Sequence, residues 1–218
     1  MSEAMRQCFL RWRMKELLSK YPGLRLRPMV SGCVILAGDF AFSAEGPTKE
    51  GIDDLYEIEI AIPKQFPDQL PRVRETNGRI PPSFHKLVDG SLCLGSETRL
   101  RLIVLQSPSI LSFVEDCIIP YLYGYSYFEQ HGKLPFGELS HGGKGIREDL
   151  AELFGVKTDM VADFVRTAAL KKGIANKRLC PCGSTLRVGK CHHKRINHLR
   201  KRLGRQWFRF LYGQVRSG

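Results

Sequence analysis

One cysteine of this chain has the setting of a reactive nucleophile. Cys93 lies in the segment DGSLCLG, residues 89–95, after a strand pattern, a proline-rich stretch and a short polar loop. Such a loop can hold a thiol beside a groove without burying it, and the thiolate is the reactive form of cysteine. The alternative is a packed thiol, because Leu-Cys-Leu is also common in hydrophobic cores. The elements around Cys93 must therefore decide between the two interpretations.

A second group of side chains has the types and the spacing of a metal site. The pattern C-x-C-x8-C-H contains Cys180, Cys182, Cys191 and His192. Three thiolates and one imidazole complete a tetrahedral zinc shell with no open position. We therefore predict a structural Zn²⁺ site that stabilises a segment too short to have its own core. His193 is an alternative fourth ligand.

The positive charge is concentrated at one end of the chain. The 218 residues have a net charge of +12, but residues 171–218 contain 14 Lys and Arg and no acid, so residues 1–170 are nearly neutral. A neutral body with a basic end indicates two functions. Aromatic residues such as Trp207 and Phe210 follow the basic ones, a composition that suits phosphate contact and base stacking. Nucleic acid is thus one candidate partner; a protein partner, or a solvated helix over 194–212 packed on the body, is the alternative.

Cysteine usage and hydropathy restrict the cellular compartment. Seven cysteines, three of them within residues 180–191, favour metal binding and free thiols over a disulfide framework. Cys8, Cys33 and Cys117 fit apolar positions and are interpreted as packed side chains. No run approaches the roughly 20 apolar residues of a membrane span, and the first residues lack the apolar stretch of a signal peptide. We expect a soluble, cytoplasmic protein without a membrane partner.

The elements that would position Cys93 can be predicted from periodicity and punctuation. Isoleucines alternate with acidic residues over 56–62, which is typical of a strand with one wet face. Ser107-Pro108 favours a helix start, with serine as N-cap and proline at the first helical position. In chain order we predict a helix over 4–19, strands over 24–28, 33–42, 56–62 and 72–74, a helix from 107 to before Pro120, and helices over 147–154 and 159–172.

This order of elements resembles the ubiquitin-conjugating enzyme fold, and four strings carry the resemblance. They are Gly-Pro at 46–47, the proline-rich stretch 62–73 ending in Pro-x-Val, DGSLCL at 89–94, and Gln-Ser-Pro at 106–108 in the place of the family's Trp-Ser-Pro. They occur in the family's order and cover about residues 5–130. The resemblance implies an α+β fold, with a four-stranded antiparallel meander and flanking helices, and a catalytic domain over residues 1–158.

The resemblance also implies an activity and roles for three residues. Cys93 would carry a protein C-terminus as a thioester and transfer it to an amine. The family's His-Pro-Asn is replaced by Ser-Phe-His at 83–85, so His85 takes the asparagine position, where it would donate to the oxyanion or hold the loop; a surface histidine is the alternative. His141 lies in a segment, 131–145, that resembles bacterial conjugating enzymes of anti-phage operons, and is a candidate base for the incoming amine.

The metal-binding string resembles the SEC-C zinc module of bacterial proteins. It implies a helical linker over 159–177 and a zinc module with a basic helix over 178–218. Within the ubiquitin-conjugating resemblance, the segment 131–145 favours the CBASS-type anti-phage branch, with a cyclic-oligonucleotide-synthesising nucleotidyltransferase as the cargo and a separate acceptor. The alternatives are a conjugating enzyme of a bacterial ubiquitin-like operon, a non-catalytic adaptor of the same fold, favoured by the changed residues 83–85, and a nucleic-acid-binding protein.

Overall fold

The computed structural model describes residues 3–136 and 142–216. The chain divides into two compact units, Met1–Glu138 and Leu139–Gly218. Within the described residues, no helix combines the length and the apolar character needed to cross a membrane.

The first unit begins with two short helices, α1 (Glu3–Arg11) and α2 (Met14–Lys20). The prediction of one helix over 4–19 is wrong at Arg13, whose φ of 54° is left-handed and ends the helical path. The break has a packing reason. Trp12 and Leu17, five residues apart, would point about 140° away from each other on a straight helix, yet both are fully buried.

A four-stranded antiparallel sheet forms the centre of this unit. Its strands are β1 (Leu24–Val30), β2 (Cys33–Glu45), β3 (Gly51–Pro63) and β4 (Arg72–Glu75), in the order β1-β2-β3-β4. The predicted α+β class and the antiparallel meander are confirmed. Strands β2 and β3 run further than predicted, because they pair continuously from Cys33↔Pro63 to Glu45↔Gly51 around a short turn.

Helices follow the sheet, and their buried side chains join those of the sheet in one hydrophobic core. They are α3 (Glu97–Val104), α4 (Ile110–Phe113), a π-helical turn (Val114–Ile118) and α5 (Ile119–His131). Helix α4 starts later than predicted, because Ser109 rather than Ser107 is its N-cap and accepts a hydrogen bond from the Ser112 N–H. The helical path then continues through Pro120 instead of ending before it. The π turn changes the hydrogen-bond spacing just before this proline, which lacks an N–H.

In its described residues, 142–216, the second unit consists of helices, turns and one small hairpin. Its helices are α6 (Gly142–Phe154), α7 (Val161–Ala169), α8 (Lys172–Lys177) and α9 (His193–Arg216), with 3₁₀ turns at Thr158–Met160 and Val188–Lys190. The helix predicted over 159–172 is interrupted at Leu170, which is extended. Phe154 packs against Phe164 and Phe208, at ring-centroid distances of 5.6 and 6.0 Å. These contacts join α6, α7 and α9 within this unit.

Helix α9 is bent at Gly204, which has φ 77° and ψ 157°. The bend directs two arginines to the end of one helix: Arg200 donates to the carbonyls of Thr167 and Ala168, and Arg205 to that of Ala169. On a straight helix these arginines would point about 140° apart. Cations at a helix C-terminus satisfy the last carbonyls and complement its dipole. The buried Arg200 therefore stabilises the α7–α9 contact, and burial lowers its pKa.

Candidate active site and candidate metal centre

A small hairpin places Cys93 opposite His85. Lys86 and Leu92 form an antiparallel bridge, and the N–H of Cys93 donates to the carbonyl of His85 at 2.8 Å. The two candidate residues, eight positions apart in the sequence, are therefore neighbours across the hairpin. Both side chains are half-buried. A half-buried side chain remains accessible to a partner molecule, and a catalytic thiol requires this access.

The sheet fixes the Cys93 arm of this hairpin. The N–H of Leu92 donates to the carbonyl of Val73 in β4 at 2.7 Å. Near the tip, Asp89 accepts a hydrogen bond from the N–H of Ser91 at 3.0 Å and forms an ion pair with Arg72. Hydrogen bonds from the Ser91 hydroxyl and N–H lower the pKa of Asp89. Cys93 thus directly follows a residue that is hydrogen-bonded to β4.

A buried ion pair holds the other arm. The Glu75 carboxylate, at the end of β4, lies 3.8 Å from the Lys86 ammonium, and the two side chains are only 1% and 12% exposed. Glu75 also accepts from the N–H of Ile80 at 3.2 Å, and Lys86 donates to the carbonyl of the same residue at 2.6 Å. A charge this deep needs a partner and further hydrogen bonds to be tolerated. The network therefore sets the course of the chain that leads to His85.

Tyr121 of α5 is hydrogen-bonded to the hairpin, and the sequence analysis did not predict this role. Its hydroxyl lies 3.2 Å from the carbonyls of both Phe84 and His85, to which it donates. Burial is the main cause that raises the pKa of Tyr121, and the charge of a nearby Cys93 thiolate raises it further. The phenol therefore stays protonated. The sequence placed it only in an aromatic cluster, because no local signal links residue 121 to a loop 36 positions earlier.

The backbone of His85 has an unusual conformation. Its φ of 36° is in the left-handed region, which a residue with a side chain rarely adopts without compensating contacts. The His85 ring packs edge-on against Phe84 at 5.0 Å, and Tyr121 holds its carbonyl. The surroundings thus maintain a conformation that brings residue 85 to Cys93. His141, the second predicted base, lies outside the described residues.

The remaining thiols of the first unit have different surroundings. Cys117 is buried in the π turn, and burial raises the pKa of its thiol to about 12, which makes it a poor nucleophile. Cys8 packs against the core, and Cys33 begins β2; both are half-buried. Cys33 is therefore a useful control for Cys93, since it has similar burial but lies on a strand without a neighbouring histidine carbonyl.

The second unit brings the four predicted metal ligands together. The ligand atoms of Cys180, Cys182, Cys191 and His192 all lie within 4.8 Å of one another, and the cluster could hold a metal ion. The Nδ1 atom of His192 is 3.3 Å from Cys180 Sγ and 3.1 Å from Cys191 Sγ. His192, and not its neighbour His193, therefore supplies the imidazole of this cluster.

A hairpin and a helix start position these ligands. Cys180 and Cys182 lie where the hairpin closes: Leu179 bridges Arg187, and the Cys180 N–H donates to Leu186 at 2.7 Å. Gly183, with φ 79°, permits the tight turn after Cys182. The other two ligands come immediately before α9. The ring of Phe164 in α7 packs edge-on against His192 at 5.1 Å and orients the imidazole.

The thiols of this cluster differ in acidity. Burial raises the pKa of Cys180, whereas a hydrogen bond from the Ser184 hydroxyl lowers the pKa of Cys182. Cysteine binds metals as the thiolate, so a bound divalent cation would draw off these protons. Three thiolates and a neutral imidazole are the donor set of structural zinc sites and leave no position for a substrate. The residues present therefore fit zinc in a structural role.

No family model, curated protein or solved structure matches this chain.

Proposed function

We propose that the first unit is a cysteine acyltransferase of the ubiquitin-conjugating type. The observation that carries the proposal is the pairing of Cys93 with His85 across a hairpin that is bonded to β4 of an antiparallel meander. Nucleophilic acyl transfer requires an accessible thiol on a fixed loop, and the residue opposite Cys93 carries an imidazole, a side chain able to donate a hydrogen bond. The matching sequence strings give the same order of helix, meander, cysteine loop and helix.

The proposed reaction has two acyl transfers at one sulfur. In the first, the Cys93 thiolate attacks the activated C-terminal carbonyl of a cargo protein; the new carbon–sulfur bond forms as the bond to the activating group breaks. In the second, an amine attacks the thioester carbonyl, the carbon–sulfur bond breaks, and the amine proton passes to a base. Cys93 leaves as the thiolate. No oxidant or reductant is needed.

His85 and Tyr121 have different tasks in this proposal. Both transfers pass through a tetrahedral intermediate whose oxygen carries negative charge, and a fixed donor lowers its energy. The half-buried imidazole of His85 is the proposed donor. Tyr121 is a positioning residue, because it acts on Cys93 through the shared carbonyl of His85.

For the second unit we infer a structural Zn²⁺ held by Cys180, Cys182, Cys191 and His192. When bound, the ion joins the hairpin to the start of α9, and it takes no part in acyl transfer. The cargo proposed from the sequence resemblance is the C-terminus of a nucleotidyltransferase in a cytoplasmic anti-phage system; a ubiquitin-like protein is the second candidate cargo.

The test uses a short peptide thioester of a small mercaptan as the acyl donor. Wild type, Cys93→Ala and Cys33→Ala are incubated with it, quenched without reductant, and measured by intact mass spectrometry with peptide mapping. We expect one adduct on residue 93 in the wild type and in Cys33→Ala, removed by hydroxylamine, and no such adduct in Cys93→Ala.

Equal acylation of Cys33 and Cys93 would contradict the proposal that Cys93 is a specialised nucleophile.

A second experiment distinguishes the enzyme hypothesis from the adaptor hypothesis. The chain is expressed together with the proteins encoded beside it, and masses are compared between wild type and Cys93→Ala. A thiol-releasable adduct on the wild type alone supports transfer, and its mass gives the cargo. Unmodified proteins that retain the same partner would instead favour a non-catalytic adaptor.

A further inference from the structure

The second unit contains a cleft that neither the acyl transfer nor the metal cluster uses. Its volume is about 480 Å³, within the range of pockets that bind small molecules or single residues of a polymer. Helices α7, α8 and α9 and the turn between the first two form its walls. The lining residues are Arg166, Ala169, Leu170, Lys171, Ile174, Arg205, Arg209 and Tyr212.

Four of the lining residues are cationic, and little opposes their charge. Arg166 pairs with Asp163 at 2.9 Å, and both side chains are more than half exposed. In the part of the chain that the structure describes, Lys171, Arg205 and Arg209 have no carboxylate within ion-pair distance, and residues 171–218 contain no acid. Cations gathered in a concave site raise the local potential and attract anions. The ligand of this cleft should therefore be negatively charged.

The fold holds these cations in place. Arg205 donates through Nε to the carbonyl of Ala169 at 3.3 Å, so its guanidinium is fixed at the wall while its other N–H groups remain for a ligand. Arg209 is one turn further along α9, where its guanidinium donates to Gln206 at 3.2 Å. The bend at Gly204 makes this arrangement, because it turns the second half of α9 toward the end of α7.

The same cleft also has an apolar wall with an aromatic ring. Ile174 is 50% exposed, and the half-buried Tyr212 also lines the cleft. The Arg216 guanidinium lies over the Tyr212 ring, 5.6 Å from its centroid. An anion alone would gain nothing from these side chains. Cations next to a partly exposed ring suit a nucleotide, whose phosphate takes the charges and whose base stacks on the ring. We propose that this cleft binds one nucleotide of a single-stranded nucleic acid.

The surface around the cleft favours a strand over a free nucleotide. Helices α8 and α9 carry further exposed basic residues outside the lining, and a strand that extends beyond the cleft could contact some of them with its phosphates. Those on α8 and just after it are Lys172, Lys177 and Arg178, and those on α9 are Lys194, Arg195 and Lys201. A single strand leaves the base faces open for stacking, whereas a duplex does not.

The test measures binding of fluorescein-labelled U20 RNA and dT20 DNA to the 218-residue chain by anisotropy, over a range of salt concentrations. The double variant Lys171→Gln/Arg209→Gln removes two exposed cations of the cleft. The matched control Lys144→Gln/Lys157→Gln removes two exposed cations elsewhere in the same unit. For each lost phosphate contact the slope of log K against log salt should fall by about 0.7. We expect a decrease of about 1.4 for the cleft variant and none for the control.

A second pair of variants tests the ring. Tyr212→Leu keeps an apolar wall but loses the stacking surface, and should weaken binding by about 5- to 100-fold. Tyr212→Phe keeps the ring and should bind like the wild type. Thermal melting checks that all four variants remain folded.

Three outcomes would overturn the proposal. They are equal slopes for the cleft and control double variants, full binding by Tyr212→Leu, and displacement of the RNA by poly-glutamate at the same charge concentration. The last result would identify an acidic protein segment as the ligand. None of these measurements depends on Cys93, so the acyltransferase proposal stands or falls separately.

Discussion

The carbonyl of His85 accepts two hydrogen bonds, from the backbone N–H of Cys93 at 2.8 Å and from the Tyr121 hydroxyl at 3.2 Å. A carbonyl oxygen has two lone pairs, so both bonds can form at once. The position of the candidate nucleophile therefore depends on a tyrosine of helix α5. Cys93 is held by the sheet on one side and by this helix on the other.

Replacing Tyr121 with phenylalanine should slow acylation of Cys93. The ring remains, but the hairpin loses a hydrogen bond with a typical net value of about 0.5–1.5 kcal/mol. We expect the rate with the peptide thioester to fall about 2- to 10-fold if that free energy is lost from the transition state. The control is Tyr125→Phe. Tyr125 lies on the same helix as Tyr121, and this variant loses the hydrogen bond from its hydroxyl to the carbonyl of Arg79. Equal rates for the two variants would show that Tyr121 has only a structural role.

Acid should destabilise the first unit partly through Asp54. Burial alone raises the pKa of this carboxyl, but hydrogen bonds from Arg79, Ser126 and its neighbour's N–H outweigh burial, and the net pKa is lowered. A lowered folded-state pKa gives stability that is fully present above the unfolded value of about 3.9. That contribution is lost as the pH falls through the folded value.

The free energy of unfolding, measured in urea between pH 5 and pH 2, should therefore fall less steeply for Asp54→Asn than for the wild type. Tyr127→Phe changes a buried ring in α5 and no carboxylate, so it should keep the wild-type slope. Parallel curves for Asp54→Asn and the wild type would show that protonation elsewhere causes the acid sensitivity.

Zinc binding should depend on His192 and not on His193. We expect one Zn²⁺ per chain by native mass spectrometry, retained in His193→Ala and weakened in His192→Ala. Strong chelators should remove the ion and increase hydrogen exchange over residues 178–192, because the hairpin has few buried side chains of its own. Equal zinc content in the two histidine variants would contradict the assigned ligand set.

Gly204→Ala should destabilise the second unit. The backbone there has φ 77° and ψ 157°, a combination almost confined to glycine and worth about 1–3 kcal/mol of strain for other residues. No atom lies within 4 Å of the added carbon, so the effect would come from the backbone alone. Gly213→Ala, in the same helix and also in open space, should be neutral or slightly stabilising. If Gly204→Ala were equally harmless, the bend would not be a required feature.

Short-range features of this protein could be predicted from its sequence. The four candidate metal ligands lie within 13 residues, so local hairpin geometry brings them together once the spacing is right. Strand β3 was visible because its side chains alternate between core and solvent, and the concentration of charge at one end needs no structure at all. Cys93 could also be singled out from its local sequence, because it lies within the short segment DGSLCLG.

Only the tertiary structure decided the features that join distant segments. The positive-φ backbone at Arg13 lets the residues on both sides of it be buried, and the positive-φ backbone at Gly204 lets the arginines on both sides of it reach the end of α7. The local sequence pattern does not show where those packing partners lie. Likewise, Tyr121 meets the His85 carbonyl, Lys86 meets Glu75, and three helices close around a basic cleft. Such contacts are selected by the packing of the whole unit, whereas propensity and periodicity act over a few residues. The sequence therefore determined which residues could do chemistry, and the fold determined which of them act together.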